Sequence, residues 1–122
     1  MERKTLEQKR AQDAWEKANG CRKEYVNLAK GLPSLIMNSG LMQVMVFLHE
    51  KGKGKDSDPH SVLAHHLRTW LSEQFAEVRP GFADFMKDMM NADARTYQDV
   101  TAEAFAWLRW MRQMAPARQR GD

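Results

Sequence analysis

The side chains that most often carry chemistry are few in this sequence and do not cluster along the chain. Two of its four histidines, His65 and His66, are adjacent. Neighbours on a helix point about 100° apart, so this pair cannot bind one ion without a distant third ligand. No HExxH or CxxC spacing occurs, and the single cysteine, Cys21, excludes an intramolecular disulfide. We therefore expect no metal site and no cofactor.

The lysine-rich segment KGKGK invites comparison with a phosphate-binding loop. That motif requires GxxxxGK and then Ser or Thr, whereas Gly54-Lys55 is followed by Asp56 and no strand precedes it. Asp56 and Asp58 lie in a flexible segment where nothing preorganises them as an acid and a base. Since no nucleophile lies beside a base either, we expect a protein that binds other molecules and is not an enzyme.

A row of cations along the first predicted helix is a candidate nucleic-acid contact. Arg3, Arg10 and Lys17 recur every seven residues on one edge of the apolar stripe, and Lys23 and Lys30 lie on the other side. Phosphates attract such rows without reading bases. Acidic residues share the outer surface of the same helix, so solvated helix faces remain the alternative.

The last predicted helix combines arginine with tryptophan. Arg109 and Arg112 flank its apolar stripe, Trp107 lies at the border, and Trp110 projects almost opposite to the stripe. An exposed tryptophan beside arginines is typical of base stacking or of a protein interface. The alternative is that Trp110 packs under a neighbouring helix.

Charge is distributed unevenly along the 122 residues. Nineteen Lys and Arg against 16 Asp and Glu give a formal charge of only +3, but both ends are basic and the middle is acidic. If the terminal helices lie side by side, their charges form one positive face, which suits nucleic acid or head-to-tail stacking of copies. The charged start MERKTLEQKRAQD lacks the apolar segment of a signal peptide, so we expect a cytoplasmic protein.

Helix signals divide the chain into a compact all-α bundle of five to seven helices with no sheet, in a single domain over residues 1–122. A first helix is predicted from Thr5 towards Lys30, with a kink or break at Asn19-Gly20. Gly31 and Pro33 predict a helix end and a new start, and Asn38-Ser39-Gly40 a further end. The apolar segment from Leu41 to Lys51 predicts a helix buried on most sides at the centre of the bundle. It is too short to span a bilayer.

The second half contains three more predicted helices. The segment 52–59 is predicted to be a disordered loop, after which Asp58-Pro59 starts a helix that ends near Phe75. Phe82 to Met90 forms a short amphipathic helix. Asp93 caps the last one, which ends at Pro116 before a flexible tail at 117–122.

Three segments of the sequence resemble a known family. They are LEQKRAQDAWEKA, YVNLAKGLPSLIMNSGLMQVMVFLHEKG and TAEAFAWLRWMRQMA, which together extend from about Thr5 to Ala115. The chain resembles the small subunit of the Cmr complex, the RNA-guided, RNA-targeting type III-B CRISPR effector of antiviral defence. The resemblance implies an all-helical subunit without nuclease activity, several copies of which stack as an inner filament. It also implies partners: other Cmr subunits, further copies of itself, CRISPR RNA and target RNA.

We combine the resemblance with the residue patterns to predict contacts. The candidate RNA-binding residues are Arg10, Lys17, Lys30, Gln43, Arg109 and Arg112. Trp110 and Met42 are candidate interface residues. The alternative is a helical adaptor that binds a protein partner through Trp110 and its methionines and has no role with nucleic acid. No membrane or small-molecule partner is expected.

Overall fold

The computed structural model describes residues 3–120 and contains six α-helices. They are α1 (Leu6–Lys17), α2 (Lys23–Ser39), α3 (Leu41–Gly52), α4 (Pro59–Gln74), α5 (Phe82–Asn91) and α6 (Ala94–Ala117). No strand occurs between residues 3 and 120, and no helix there is long and apolar enough to cross a membrane. The predicted all-α bundle of five to seven helices is confirmed.

The predicted helix starts are confirmed by their hydrogen bonds. The Thr5 side chain accepts from the Gln8 backbone N–H, and the Gln8 side chain accepts in return from the Thr5 backbone. The Asp58 carboxylate caps α4, whose first residue is Pro59, and the Asp93 carboxylate caps α6. Each cap satisfies an N–H that has no partner within the helix.

The first predicted helix is two helices. Residues 18–22 separate α1 from α2, and Gly20 has a φ of +72°, a conformation that L side chains rarely adopt. The sequence allowed a kink or a break at Asn19-Gly20, and the structure has a break. The chain changes direction here, which brings α2 against α6 while α1 also packs on α6.

The predicted helix boundary at Gly31 and Pro33 is wrong, because α2 continues through both residues to Ser39. A proline inside a helix removes one hydrogen bond and costs about 3 kcal/mol. The apolar stripe of α2 nevertheless runs past it, with Ala29, Leu32 and Ile36 all buried. Burial of this stripe outweighs the local signal. The helix ends as predicted at Gly40, whose φ is +88°.

The prediction that α3 lies at the centre of the bundle is also wrong. Its residues at Leu41, Val44, Met45 and Leu48 are buried, but Val46 and Phe47 are about 40% exposed. The helix packs mainly on α2, α4 and α5, while α2 and α4 each contact most other helices and form the centre. A single buried stripe is enough to place α3, so its remaining apolar side chains face outwards.

Helices α1 and α6 lie side by side and run in the same direction. Arg10 contacts Glu103, Asp13 contacts Trp107, and Cys21, just beyond α1, bonds to the Ala115 carbonyl. Residue numbers therefore rise together along the two helices. Since α2 starts near the end of α6 and also packs on it, α2 must run back along α6 in the opposite direction.

One buried carboxylate joins three helices. Glu103 of α6 is only 7% exposed. It accepts two hydrogen bonds of 2.7 Å from the Arg10 guanidinium of α1 and one of 2.9 Å from the Trp70 indole of α4. A buried charge is tolerated only when it is paired and hydrogen-bonded, and Glu103 meets both conditions.

The loop and the tail predicted to be disordered or flexible are partly described. Residues 53–58 form successive turns, closed by the Lys55 N–H to the Gly52 carbonyl and the Asp58 N–H to the Lys55 carbonyl. In the tail, the Arg120 N–H donates to the Cys21 carbonyl. Residues 121–122 lie outside the described part, and the disorder of either segment stays a prediction.

Two glycine substitutions separate the observed course of α2 from the predicted one. Gly31→Ala should stabilise the protein by about 0.5–1 kcal/mol, since Gly31 is inside a helix and an added Cβ meets nothing within 4 Å. Gly40→Ala should destabilise it by about 1–3 kcal/mol because of its positive φ. Urea unfolding measures both. Destabilisation by Gly31→Ala would mean that α2 ends there.

Candidate nucleic-acid interface

Arg10, the first predicted RNA contact, is held inside the protein. Its Nε and Nη2 donate to the Glu103 carboxylate, and its Nη1 lies 3.4 Å from the Glu7 carboxylate. Hydrogen bonding to Glu103 holds the pKa of Arg10 above its ordinary value. With all three guanidinium nitrogens directed at carboxylates, Arg10 has little capacity left for a phosphate.

Lys17 is also occupied by neighbouring groups. Its Nζ lies 2.8 Å from the Asp13 carboxylate and 3.3 Å from the His66 carbonyl, and 5.9 Å from the centre of the Trp107 ring. The same Asp13 oxygen accepts from the Trp107 indole at 2.8 Å. Two of the three cations in the predicted row are thus neutralised within the fold, and the row is not an open track.

The other predicted RNA contacts do face outwards. Lys30 on α2, Gln43 on α3, and Arg109 and Arg112 on α6 are exposed. Within the described chain, no carboxylate lies within 4 Å of the Lys30, Arg109 or Arg112 cation. Because α2 packs on α6, these three cations occupy two adjacent helices. Gln43 lies apart, beside a shallow groove that also includes Leu35 and Phe47.

The two predicted interface residues are half-buried. Trp110 packs against the core, as in the alternative left open by the sequence, and Trp107 is fully buried where a border position was predicted. The buried stripe of α6 is therefore rotated towards Glu103 and Trp107. Met42 also packs partly against the core. RNA or protein contacts by the predicted residues stay predictions.

An exposed tryptophan beside an arginine exists elsewhere on the surface. Trp15 of α1 is 46% exposed, and the Arg118 guanidinium lies 4.2 Å from its ring centre. Arg118 also donates to the Trp15 carbonyl at 2.8 Å and to the Asn19 side chain. No sequence pattern indicated this pair, because the two residues are 103 positions apart and meet only through the parallel packing of α1 and α6.

A second polar pair lies between α2 and α4. The Tyr25 hydroxyl is 2.8 Å from Nδ1 of His66. Burial, with the nearby Lys17 and His65 charges, lowers the pKa of His66 to about 4, and burial raises that of Tyr25 above its ordinary value. His66 is neutral near pH 7, so the Tyr25 hydroxyl donates to its unprotonated nitrogen. The helical pattern of α4 placed His66 inward but indicated no partner for it.

Metal chemistry finds no support in the geometry. Between residues 3 and 120, no group of three or more His, Cys, Asp or Glu side chains is arranged to hold an ion. Cys21 is buried, and its thiol donates to the Ala115 carbonyl. Catalytic clusters are likewise not formed by Asp56 and Asp58, since Asp58 caps α4 and Asp56 is exposed.

The sequence matches one protein family over almost its whole length. The family described as CRISPR-associated protein (Cas_Cmr5) matches residues 6–118. The chain belongs to this family. The resemblance inferred from its sequence segments is thereby confirmed.

Two relatives illustrate the family. The chain is 30% identical over 91 residues to the CRISPR system Cmr subunit Cmr5 of Thermotoga maritima, a match that spans 75% of this chain and 64% of that protein. It also resembles the crystal structure of a CRISPR-associated Cmr5 family protein from Thermus thermophilus, with a TM-score of 0.75 and 24% identity. The match covers 96% of this chain and 100% of the other, and it supports the fold.

Acid should destabilise the protein through His66. Its ordinary pKa of about 6.5 applies in the unfolded chain and about 4 in the folded one, so the unfolded state binds more protons between these values. Lowering the pH from 7 to 5 should therefore remove about 2 kcal/mol of unfolding free energy through this residue. Urea unfolding of wild type and of His66→Gln measures the difference.

The adjacent His65 provides the control, because it is exposed. His65→Gln should lose as much stability as wild type between pH 7 and 5, whereas His66→Gln should lose about 2 kcal/mol less. An equal loss in all three proteins would contradict a buried neutral His66.

Proposed function

We propose that the protein is the small subunit of a Cmr complex, a type III-B CRISPR ribonucleoprotein that acts in antiviral defence in the cytoplasm. Membership of the Cas_Cmr5 family carries this proposal. In the complex the chain has no catalytic role. Copies of it stack as an inner filament beside the subunits that hold the guide RNA, and they contact the phosphates of the guide and target strands.

Exposed cations on α2 and α6 supply the RNA contacts in this proposal. Lys30, Arg109 and Arg112 have no carboxylate within 4 Å in the described chain, so their charge is available to phosphates. Arg10 and Lys17 contribute to the fold instead, because their donors are taken by Glu103 and Asp13. The exposed Gln43 adds a neutral donor at another part of the surface.

Apolar side chains at the junction of α2 and α3 support the stacking of copies. Leu35 and Met37 of α2 and Val46 and Phe47 of α3 are exposed, with Met37 exposed by 76%. Clustered apolar exposure of this kind is typical of a contact surface. Met42, on the same helix as Phe47, is half-buried beside them. We assign this corner to the contact between copies.

The same corner favours the second candidate function, a helical adaptor that binds a protein partner and no nucleic acid. The two functions differ in their dependence on salt. Phosphate contacts release counterions, so affinity falls steeply as salt rises, whereas an apolar contact between proteins is much less sensitive.

One reconstitution experiment tests the proposal. Complexes are assembled with wild-type chain or with Lys30→Gln, Arg109→Gln and Arg112→Gln combined, and target RNA binding is titrated at several salt concentrations. The variant should bind more weakly, and the slope of log affinity against log salt should fall by roughly two units, about 0.7–0.9 for each phosphate contact. Native mass spectrometry of the same complexes should find more than one copy of the chain.

Arg95→Gln is the matched control. Arg95 lies on the same helix but faces Asp99 at 3.5 Å, so its removal changes net charge without removing an unpaired cation. This variant should keep the wild-type slope. An unchanged slope in the triple variant would contradict the RNA contacts, and a single copy per complex would contradict stacking.

A further inference from the structure

Arg68 of α4 is a buried cation without a counter-ion. It is only 8% exposed, and no carboxylate lies within 4 Å of its guanidinium in residues 3–120. Its Nε donates to the Pro80 carbonyl at 2.7 Å, and its Nη1 lies 3.8 Å from the Met45 sulfur. The Phe82 ring is 5.8 Å from its central carbon. These partners are all neutral.

The contrast with the other buried charge is informative. Glu103 is paired with Arg10, whereas nothing cancels the charge of Arg68. Burial lowers the pKa of Arg68 from its ordinary value, which shows that its surroundings disfavour the cation. Arginine stays protonated in proteins, so the unfavourable electrostatics persist until an anion approaches.

A cleft above α4 gives an anion access to this arginine. Its volume is about 680 Å³, within the range of roughly 300–1,000 Å³ usual for small-molecule sites. Residues from α3, the 53–58 segment, α4 and α5 line it: His49, Gly54, Asp56, Ser61, Val62, Ala64, His65, His66, Arg68 and Phe82. The histidines and Ser61 supply further polar groups around Arg68.

Asp56 is the single acidic residue on this lining. It is exposed on the segment between α3 and α4, where water screens its charge. It lies more than 4 Å from the Arg68 guanidinium and does not neutralise it. A planar guanidinium binds phosphate oxygens with two parallel hydrogen bonds, which makes a phosphate group the best-fitting anion.

The wall of the cleft provides a flat surface beside the arginine. His49 and Phe82 are stacked, with ring centres 3.9 Å apart and an interplanar angle of 5°. Phe82 covers one face of the His49 ring, while His49 itself is exposed and lines the cleft. A nucleobase can stack on the remaining face, as bases do on histidine and other aromatic side chains.

We propose that this α4 cleft binds one nucleotide, with its phosphate group on Arg68 and its base stacked on His49. The phosphate belongs either to an RNA strand or to a free nucleotide, and both share this chemistry. The RNA source rests on the function proposed above. The site itself does not, because Arg68 and its cleft are separate from Lys30, Arg109 and Arg112.

Nuclear magnetic resonance titration of the full-length chain tests the site. The probes are adenosine monophosphate, adenosine and inorganic phosphate, and the readout is the set of amide signals from residues 60–68. Adenosine monophosphate should shift these signals and bind at least tenfold more tightly than adenosine. Equal affinity for the two, or shifts confined to other residues, would overturn the proposal.

Variants then separate the two parts of the site. Arg68→Gln should weaken binding of adenosine monophosphate and of inorganic phosphate at least tenfold, and Arg95→Gln should change neither. His49→Ala should weaken the nucleotide and leave inorganic phosphate unaffected, a result that remains informative if Arg68→Gln fails to fold. Loss of neither ligand in a folded Arg68→Gln would contradict the assignment.

A final comparison identifies the source of the phosphate. If His49→Ala also weakens target RNA binding in the assembled complex, the nucleotide belongs to an RNA strand. If RNA binding is unchanged while adenosine monophosphate binding is reduced, the ligand is a free nucleotide. If RNA binding depends on Lys30, Arg109 and Arg112 while none of the three probes perturbs the cleft, this proposal fails and the proposed function stands.

Discussion

The Glu103 carboxylate, buried where α1, α4 and α6 meet, constrains the rest of the structure. Removing a charge from water costs several kcal/mol unless partners are fixed around it, so the three helices must arrive with Arg10 and Trp70 correctly placed. This requirement turns the face of α6 that carries Glu103 and Trp107 towards α1. The opposite face, with Arg109, is consequently left to solvent.

The cations of the chain divide into two groups by the direction they face. Arg10 and Lys17 are paired with carboxylates inside the bundle, and Arg68 is buried beside a cleft. The cations on the outer faces of α2 and α6 are free to meet a polyanion. A formal charge of only +3 therefore understates the positive charge that an approaching phosphate encounters on that side.

Local signals in the sequence were sufficient for the fold class and the helix starts. Thr5, Asp58 and Asp93 act through hydrogen bonds within three residues, which a sequence pattern records directly. The course of α2 was not predictable in this way, because burial of Leu32 and Ile36 against distant helices overrides Gly31 and Pro33. The candidate site was predicted only in part, since a helical wheel gives the direction of Arg10 but cannot identify a carboxylate 93 positions away.

A double-mutant cycle between Arg10 and Glu103 tests most directly whether this cation belongs to the fold. Unfolding free energies are measured for wild type, Arg10→Met, Glu103→Gln and the double variant, where glutamine keeps an acceptor for the Trp70 indole. We predict a coupling energy of about 2–3 kcal/mol, as for a buried pair within one network. A coupling below about 0.5 kcal/mol, typical of an exposed ion pair, would contradict the account.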